Sequence, residues 1–497
     1  MIDKEKLFYT AKSGRCGDFM PFYEDGVFHL YTIIGSNWEH LTTRDFVTYE
    51  NHGVAIYGGA EDAQDRDIYS GSVMKANGVY HVFYAGHNES NRNKGLPTEV
   101  VMHATSVDLF YFEKQDDVFL PPDEEIYARC GWRDPFVYFD EETQEYRMLI
   151  TGAEKHLYSK RWGTTALATS KDLKHWQVQK PLYAPFLFDS HECPDLFEID
   201  GTWYLIFSTY TRWWETRYRM AKTPYGPWET PKDDLLDSRA FYAARTTEAS
   251  GKRYLIGWTA VREDDDDTKN YLWGGSLTAH VLIKRADGTL GVAPVKEVED
   301  VFRTPVLLQP KAPFGDGKWH TSGNFENIPA VGMSASDASA PCAGKAGKAN
   351  FPAKKAAPVF RAEGNGFSAL PLGSLSDSSE ILADVRTESS AAGIFFRAKT
   401  AEFDEWCMLR VDVRRERIFF DRFNKFFFDQ HFDEERPLPL SPDGNYRVKI
   451  INYGSMILIY VNDVALSTRC YAYTGGEVGL FVENGKAEFS SVALLEA

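Results

Sequence analysis

Five stretches of the chain alternate aromatic and aliphatic residues, most of them behind a turn residue. They are Gly26-Val27-Phe28-His29-Leu30-Tyr31, Gly78-Val79-Tyr80-His81-Val82-Phe83-Tyr84, Glu145-Tyr146-Arg147-Met148-Leu149-Ile150, Gly201-Thr202-Trp203-Tyr204-Leu205-Ile206-Phe207 and Gly251-Lys252-Arg253-Tyr254-Leu255-Ile256-Gly257-Trp258. Such patterning reads as β-strand, and the copies recur at roughly 50 to 65 residues, the length of a four-stranded propeller blade with its loops. A second element follows in phase: Thr43-Arg44-Asp45-Phe46 with Tyr49, Ser106-Val107-Asp108-Leu109 with Phe112, and Ser170-Lys171-Asp172-Leu173 with Trp176. A weaker fourth copy is Thr223-Pro224-Tyr225-Gly226-Pro227-Trp228. Here Ser, Thr and Asp suit a tight turn held by side-chain-to-backbone hydrogen bonds, and the aromatic residue pins the outer strand. Five β units closing into a ring are predicted, with inner strands near 18–23, 69–75, 134–139, 192–199 and 241–247 lining the channel.

The ring is expected to span residues 1–300 and to end after the hairpin at 284–290, with a connector over 301–325. Small and polar residues dominate 333–358, which cannot bury enough apolar surface to order themselves and read as a flexible loop. Short strands resume from about 359, among them Gly393–Arg397, Trp406–Val411, Tyr446–Ile451 and Met456–Val461. Their spacing predicts a β-sandwich within 326–497. The fold class is therefore all-β: a five-bladed propeller followed by a C-terminal sandwich.

Composition supports this without narrowing it much. The 497 residues exceed one ordinary core, and 14% aromatic content favours strands. A net charge of −17 repels nucleic acid and anionic membranes and suits a neutral substrate. Six scattered cysteines contain no C-x-x-C pair, so neither a zinc site nor a disulfide framework is expected. Met1–Lys6 lacks the apolar core of a signal peptide, and no run of about 18 apolar residues occurs. A reduced, cytoplasmic protein without metal or cofactor is the expectation.

Chemistry enters with three carboxylates. Asp18, Asp134 and Glu192 each precede a proline and an apolar run, in Gly17-Asp18-Phe19-Met20-Pro21, Trp132-Arg133-Asp134-Pro135-Phe136 and His191-Glu192-Cys193-Pro194-Asp195. Each alone could be a turn acid or half of a structural ion pair. In phase with the blades they converge at the channel-facing starts of inner strands one, three and four. Two carboxylates flanking a glycosidic bond suffice for hydrolysis, and a third can grip hydroxyls and stabilise positive charge on the ring. Tyr69 and Ser70 are expected to line the pocket. For Trp38 and Trp258, a sugar-facing wall and propeller core both stay open, as do a substrate platform and a subunit contact for Arg212-Trp213-Trp214. His40 reads as a packed histidine, Cys193 as a buried thiol, and Asp195 as a partner of backbone or Arg groups.

Several of these stretches carry a resemblance to glycoside hydrolase family 32, the β-fructosidases. They are Trp38-Glu39-His40-Leu41-Thr42-Thr43-Arg44-Asp45-Phe46, Tyr69-Ser70-Gly71-Ser72, Trp132-Arg133-Asp134-Pro135, Glu192-Cys193-Pro194-Asp195-Leu196-Phe197, and Phe241-Tyr242-Ala243-Ala244 with Ile256-Gly257-Trp258. The resemblance implies a retaining enzyme without cofactor that cleaves β-fructosidic bonds in sucrose, fructo-oligosaccharides or related fructosides. Asp18 would be the nucleophile and Glu192 the general acid and base, with its pKa raised. Asp134 would hold fructose hydroxyls, with Arg133 beside it. The sequence departs from the family at the nucleophile, where Gly17-Asp18-Phe19-Met20 replaces an Asn-Asp-Pro-Asn pattern, and at Ile33, where a glutamine is usual. Two other readings compete: an inverting family 43-like arabinosidase or xylosidase, and a non-catalytic carbohydrate-binding protein.

Overall fold

A computed structural model describes residues 7–13, 15–155, 161–323, 357–399, 403, 405–423 and 434–497. Of the loop expected at 333–358, all but the last two residues lie outside these. Contacts divide the chain into two compact units, Met1–Glu299 with Asp463–Ala472, and Asp300–Asn462 with Tyr473–Ala497.

The first unit is a five-bladed propeller. Blade one is β1 (Gly17–Glu24), β2 (Val27–Ile34), β3 (Asn37–Thr43) and β4 (Glu50–Ile56). Blade two is β5 (Asp67–Ala76), β6 (Val79–His87), β7 (Glu99–Ser106) and β8 (Glu113–Leu120), and blade three is β9 (Arg133–Asp140), β10 (Glu145–Ala153), β11 (Gly163–Ser170) and β12 (Gln177–Tyr183). Blade four has β13 (Glu192–Ile199), β14 (Thr202–Thr209) and β15 (Glu215–Ala221), its outer edge reduced to bridges at Arg217–Leu235 and Met220–Glu229. Blade five is β16 (Phe241–Ala249), β17 (Lys252–Arg262), β18 (Tyr271–Lys284) and β19 (Leu290–Pro294). Each blade is an antiparallel meander, and the inner strands pack in the cycle β1, β5, β9, β13, β16 and back to β1. All five begin within two residues of where the alternation predicts.

The turn motif between strands three and four of a blade forms as its residues dictate. Thr43, Ser106 and Ser170 each accept the backbone N–H three residues on, from Phe46, Leu109 and Leu173 (2.9, 3.0 and 3.0 Å), and those three residues sit at positive φ. Asp45, Asp108 and Asp172 accept the N–H groups beyond, closing the turn. Aromatic side chains lock it, with the Tyr49 hydroxyl and the Trp176 indole donating to the Phe46 and Leu173 carbonyls. Between blades the core is aliphatic and aromatic, with Tyr31, Trp38, Ile56, Ile68, Val82 and Tyr84 packed between blades one and two. His40 belongs to this layer, fully buried and stacked on Tyr31 and His29.

The second unit is a β-sandwich-like antiparallel sheet. Its longest strand, Gly476–Glu496, pairs along one edge with Val359–Leu375. On its other edge it pairs first with Ala391–Lys399 and then with Ser378–Thr387, so a single strand serves both layers. Among the described residues no helix is long and apolar enough to cross a membrane.

Segment Asp463–Ala472 belongs to the propeller unit, and its polar groups bond to blade five and the segment before it. The buried Asp237 carboxylate accepts the Ser467 N–H and hydroxyl, both at 2.7 Å. Arg469 donates to the Thr259 and Ala260 carbonyls and to the Ser276 hydroxyl. A linear boundary near residue 300 gave no sign of this return.

Candidate active site

Every inner strand carries the same irregularity near its start. Two residues oppose one on the neighbouring strand: Asp18-Phe19 in β1, Tyr69-Ser70 in β5, Asp134-Pro135 in β9, Cys193-Pro194 in β13 and Ala243-Ala244 in β16. The first bulge residue is left-handed in four of the five, with φ of 51° at Asp18, 56° at Asp134, 48° at Cys193 and 51° at Ala243. A β-bulge bends the strand and re-aims a side chain, and non-glycine residues in this region cost roughly 1–2 kcal/mol each. Aspartate tolerates it best. The strain is spent on turning side chains into the funnel.

This register distinguishes the three acids. Asp18 and Asp134 occupy the same bulge position in blades one and three. Glu192 stands one residue earlier in its blade, on the rung shared by Gly17, Arg133 and Tyr242. Neighbours on that rung join hands. Arg133 Nη2 lies 2.5 Å from Glu192 Oε1, and the Tyr242 hydroxyl donates to Glu192 Oε2 at 2.5 Å. Burial and the adjacent Glu192 hold the Tyr242 phenol well above its ordinary pKa, so it stays a donor.

Asp134 is buried and fully engaged. Ser70 Oγ donates to Oδ1 at 2.6 Å, while Thr151 Oγ1 and the Cys193 N–H donate to Oδ2 at 2.9 and 3.1 Å. Beneath it the buried Arg245 donates to the Asp134 and Pro194 carbonyls, tying β9 to β13. Among the described residues Asp18 accepts one hydrogen bond, from Trp258 Nε1 at 3.1 Å. Its pKa is pushed up to about 7, first by burial and then by the Asp134 and Glu192 carboxyls, against the pull of the indole N–H and Arg245.

Asp18, Asp134, Glu192, Arg133, Ser70 and Trp258 are thus brought together. Of these, Ser70 and Trp258 are completely buried, so they orient carboxylates and offer no wall to a sugar. Trp38 is not in the funnel. It is sealed in the core between blades one and two, its indole N–H donating to the Tyr69 carbonyl at 2.9 Å, so the core alternative is the one the structure adopts. Tyr69 is half-buried and stacks on His87. Cys193 is a buried thiol held protonated by burial, and Asp195 accepts the Thr246 N–H at 2.5 Å. Tyr242, Thr151 and Arg245 are the groups that the motifs did not single out, although Tyr242 lies within a quoted stretch. The signal for Tyr242 was its phase, since it stands second in inner strand five while Arg133 and Glu192 open three and four. Trp214 packs on both Tyr242 and Trp258, with ring centroids 5.5 and 5.2 Å away. Among the described residues no group of three or more His, Cys, Asp or Glu side chains is arranged to hold a metal.

A five-bladed propeller with three carboxylates at the starts of its inner strands, followed by a β-sandwich, defines a glycoside hydrolase architecture. More narrowly, the chain belongs to glycosyl hydrolases family 32, whose N-terminal domain model matches residues 16–294. Similar curated proteins include the sucrose-6-phosphate hydrolase of Vibrio alginolyticus, 28% identical over 309 residues (57% of this chain, 61% of the relative). The raffinose invertase of Escherichia coli is 28% identical over 293 residues (55% of this chain, 59% of the relative). The chain thus spans about three fifths of the curated relatives it matches. The fold is shared with a GH32 beta-fructofuranosidase of Bombyx mori, with a TM-score of 0.67 and 16% identity over 100% of this chain and 94% of the other. It is also shared with a sucrose-6-phosphate hydrolase of Lactobacillus gasseri, with a TM-score of 0.65 and 18% identity over 97% and 91%.

Proposed function

We propose that this protein hydrolyses β-fructosidic bonds, in sucrose, its phosphorylated form or short fructo-oligosaccharides, by a retaining double displacement. The observation that carries this reading is the division of labour among the acids. Among the described residues Asp18 accepts a single hydrogen bond, and we assign it the attack on the anomeric carbon. Asp134 is locked by three donors, and Glu192 is steered by Arg133 and Tyr242. Glu192 hands a proton to the leaving oxygen while Asp18 bonds to C2 of the fructosyl unit; water, deprotonated by Glu192, then releases the sugar. Three carboxylates around the reacting carbon favour the positive charge of the transition state. Names of the sequence relatives support sucrose-type substrates, and the resemblance at Arg133-Asp134-Pro135 and Glu192-Cys193-Pro194-Asp195 supports the roles.

The test is product analysis on sucrose, sucrose 6-phosphate, inulin, levan, inulobiose and cyclic difructose compounds. Fructose or its phosphate is expected from at least one, appearing first as the β-anomer by NMR. Release from none ends the fructosidase reading, and first appearance of the α-anomer transfers the site to the inverting alternative.

Asp18 also sets a pH dependence. A nucleophile whose pKa lies near 7 is protonated and inert below that pH. Activity as kcat/KM is therefore expected to fall about tenfold per pH unit below roughly pH 7. An acid limb that begins near pH 4 would show that Asp18 titrates like an exposed carboxylate.

A further inference from the structure

Arg133 is one cation among three carboxylates that come from three blades. Its Nη2 meets Glu192 at 2.5 Å, its Nε lies 3.8 Å from Asp134 Oδ2, and its Nη1 lies 3.6 Å from Glu99 Oε1. Glu99 opens β7, the third strand of blade two, and no motif of the sequence singles it out. It is buried, and its other oxygen is committed, since Oε2 accepts the Trp132 N–H at 2.9 Å. Trp132 is itself sealed in the core between blades two and three, its indole donating to the Leu120 carbonyl at 3.0 Å. A carboxylate pinned in this way faces the guanidinium without being free to follow it. Burial works against the Arg133 charge, and Glu192, Asp134 and Glu99 more than restore it.

We propose that Glu99 is a positioning residue for proton delivery: it holds the second arm of Arg133 and draws that charge away from Glu192, so that Glu192 can stand neutral beside a guanidinium. The inference rests on the fructosidase reading and deepens it. Glu192 has two tasks there, to give a proton to the leaving oxygen and then to take one from water. Arg133 at 2.5 Å helps only the second, because an adjacent cation favours the carboxylate form. With Glu192 protonated and Glu99 removed, Arg133 would keep only Asp134 as counterion among the described residues. That carboxylate is already claimed by Ser70, Thr151 and the Cys193 N–H. Glu99 supplies the missing charge, and a poorly compensated buried cation is costly. Asp18, Cys193, Tyr210 and Tyr242 also face Glu192, while Tyr69, Arg92 and the cross-strand neighbour His87 lie about Glu99. A change in any of their titrations acts on every substrate alike. A neutral Glu192 matters only where the leaving oxygen needs a proton.

The experiment measures kcat/KM against pH for wild type, E99Q, E99A and E99D. The substrates are sucrose (or whichever fructoside wild type cleaves) and nitrophenyl β-fructoside. Gln keeps an oxygen for the Trp132 N–H and loses the charge. E99Q is expected to move the basic limb on sucrose down by about one pH unit, a roughly tenfold loss at any pH on that limb. On the nitrophenyl substrate, whose leaving group needs no proton, the loss should stay within about threefold. E99A removes the same charge and should give the same shift, so either variant reads it. E99D keeps the charge and should keep the limb close to that of wild type. Three results, with wild type still cleaving, show that Glu99 only anchors Trp132 and leave the fructosidase reading intact: a limb that stays in place, equal losses on both substrates, or an E99D shift as large as that of E99Q. Wild-type protein that releases fructose from no substrate removes both.

Discussion

Replacing Asp18 by Asn is expected to lower turnover by roughly 10⁴-fold or more, since a displacement that lacks its nucleophile retains only binding and charge stabilisation. The substitution is nearly isosteric, and the amide oxygen can still accept the Trp258 N–H. Its folded state should therefore survive, and pH can prove it. The folded pKa of Asp18, about 7, exceeds the ordinary 3.8, so between those values the folded protein keeps a proton that the unfolded chain has lost. Wild-type stability consequently declines as pH rises through that window, because ionising a crowded carboxyl is unfavourable. The Asn variant carries no such group. Thermal unfolding should show it equal to wild type near pH 4 and more stable above pH 7. A variant that retains turnover removes Asp18 from the nucleophile's role. One that is inactive and also less stable at pH 8 shows that Asp18 supports the fold.

Glu192→Gln is the second large effect, about 10²- to 10⁴-fold on the hydrolysis of sucrose, whose leaving oxygen needs a proton. The amide keeps the shape that Arg133 and Tyr242 grip but can neither give nor take a proton. A fructoside with a nitrophenol leaving group departs without that help, so the variant should release a burst of about one nitrophenol per site and then slow. Regeneration still needs a base for water. Azide, which needs no base, should accelerate the slow phase. Wild-type rates on sucrose would take Glu192 out of the chemistry. A large loss with no burst would instead point to a single-step mechanism.

Repetition made most of the propeller readable. Each blade restates the same alternation and turn, so errors at one copy are corrected by the next. Asp18, Asp134 and Glu192 could be placed because they recur in phase at the starts of inner strands. Register within the bulge could not, because whether an acid stands on the rung or just after it depends on backbone geometry that motif spacing leaves undetermined. For the same reason Arg133 and Tyr242 were not read as a pair closing on Glu192. Trp38 shows the limit of composition, since an indole beside an active-site motif and an indole beneath it look alike in a sequence. Trp273 and Gly17 lie 256 positions apart, yet a Cβ at Gly17 would touch the Trp273 ring, next to the bridge between Cys16 and Gly275.

The return of Asp463–Ala472 to blade five bears on how this architecture can be inherited and engineered. A gene fragment ending near codon 300 would leave the buried Asp237 without the Ser467 donors and three acceptors of blade five without Arg469. A buried hydrogen bond lost without replacement costs about 1–3 kcal/mol, and Asp237 would retain the Ser238 N–H while losing both Ser467 donors. Recombination that deletes the C-terminal half is therefore expected to destabilise the N-terminal one, so the two halves are best transferred as a single piece.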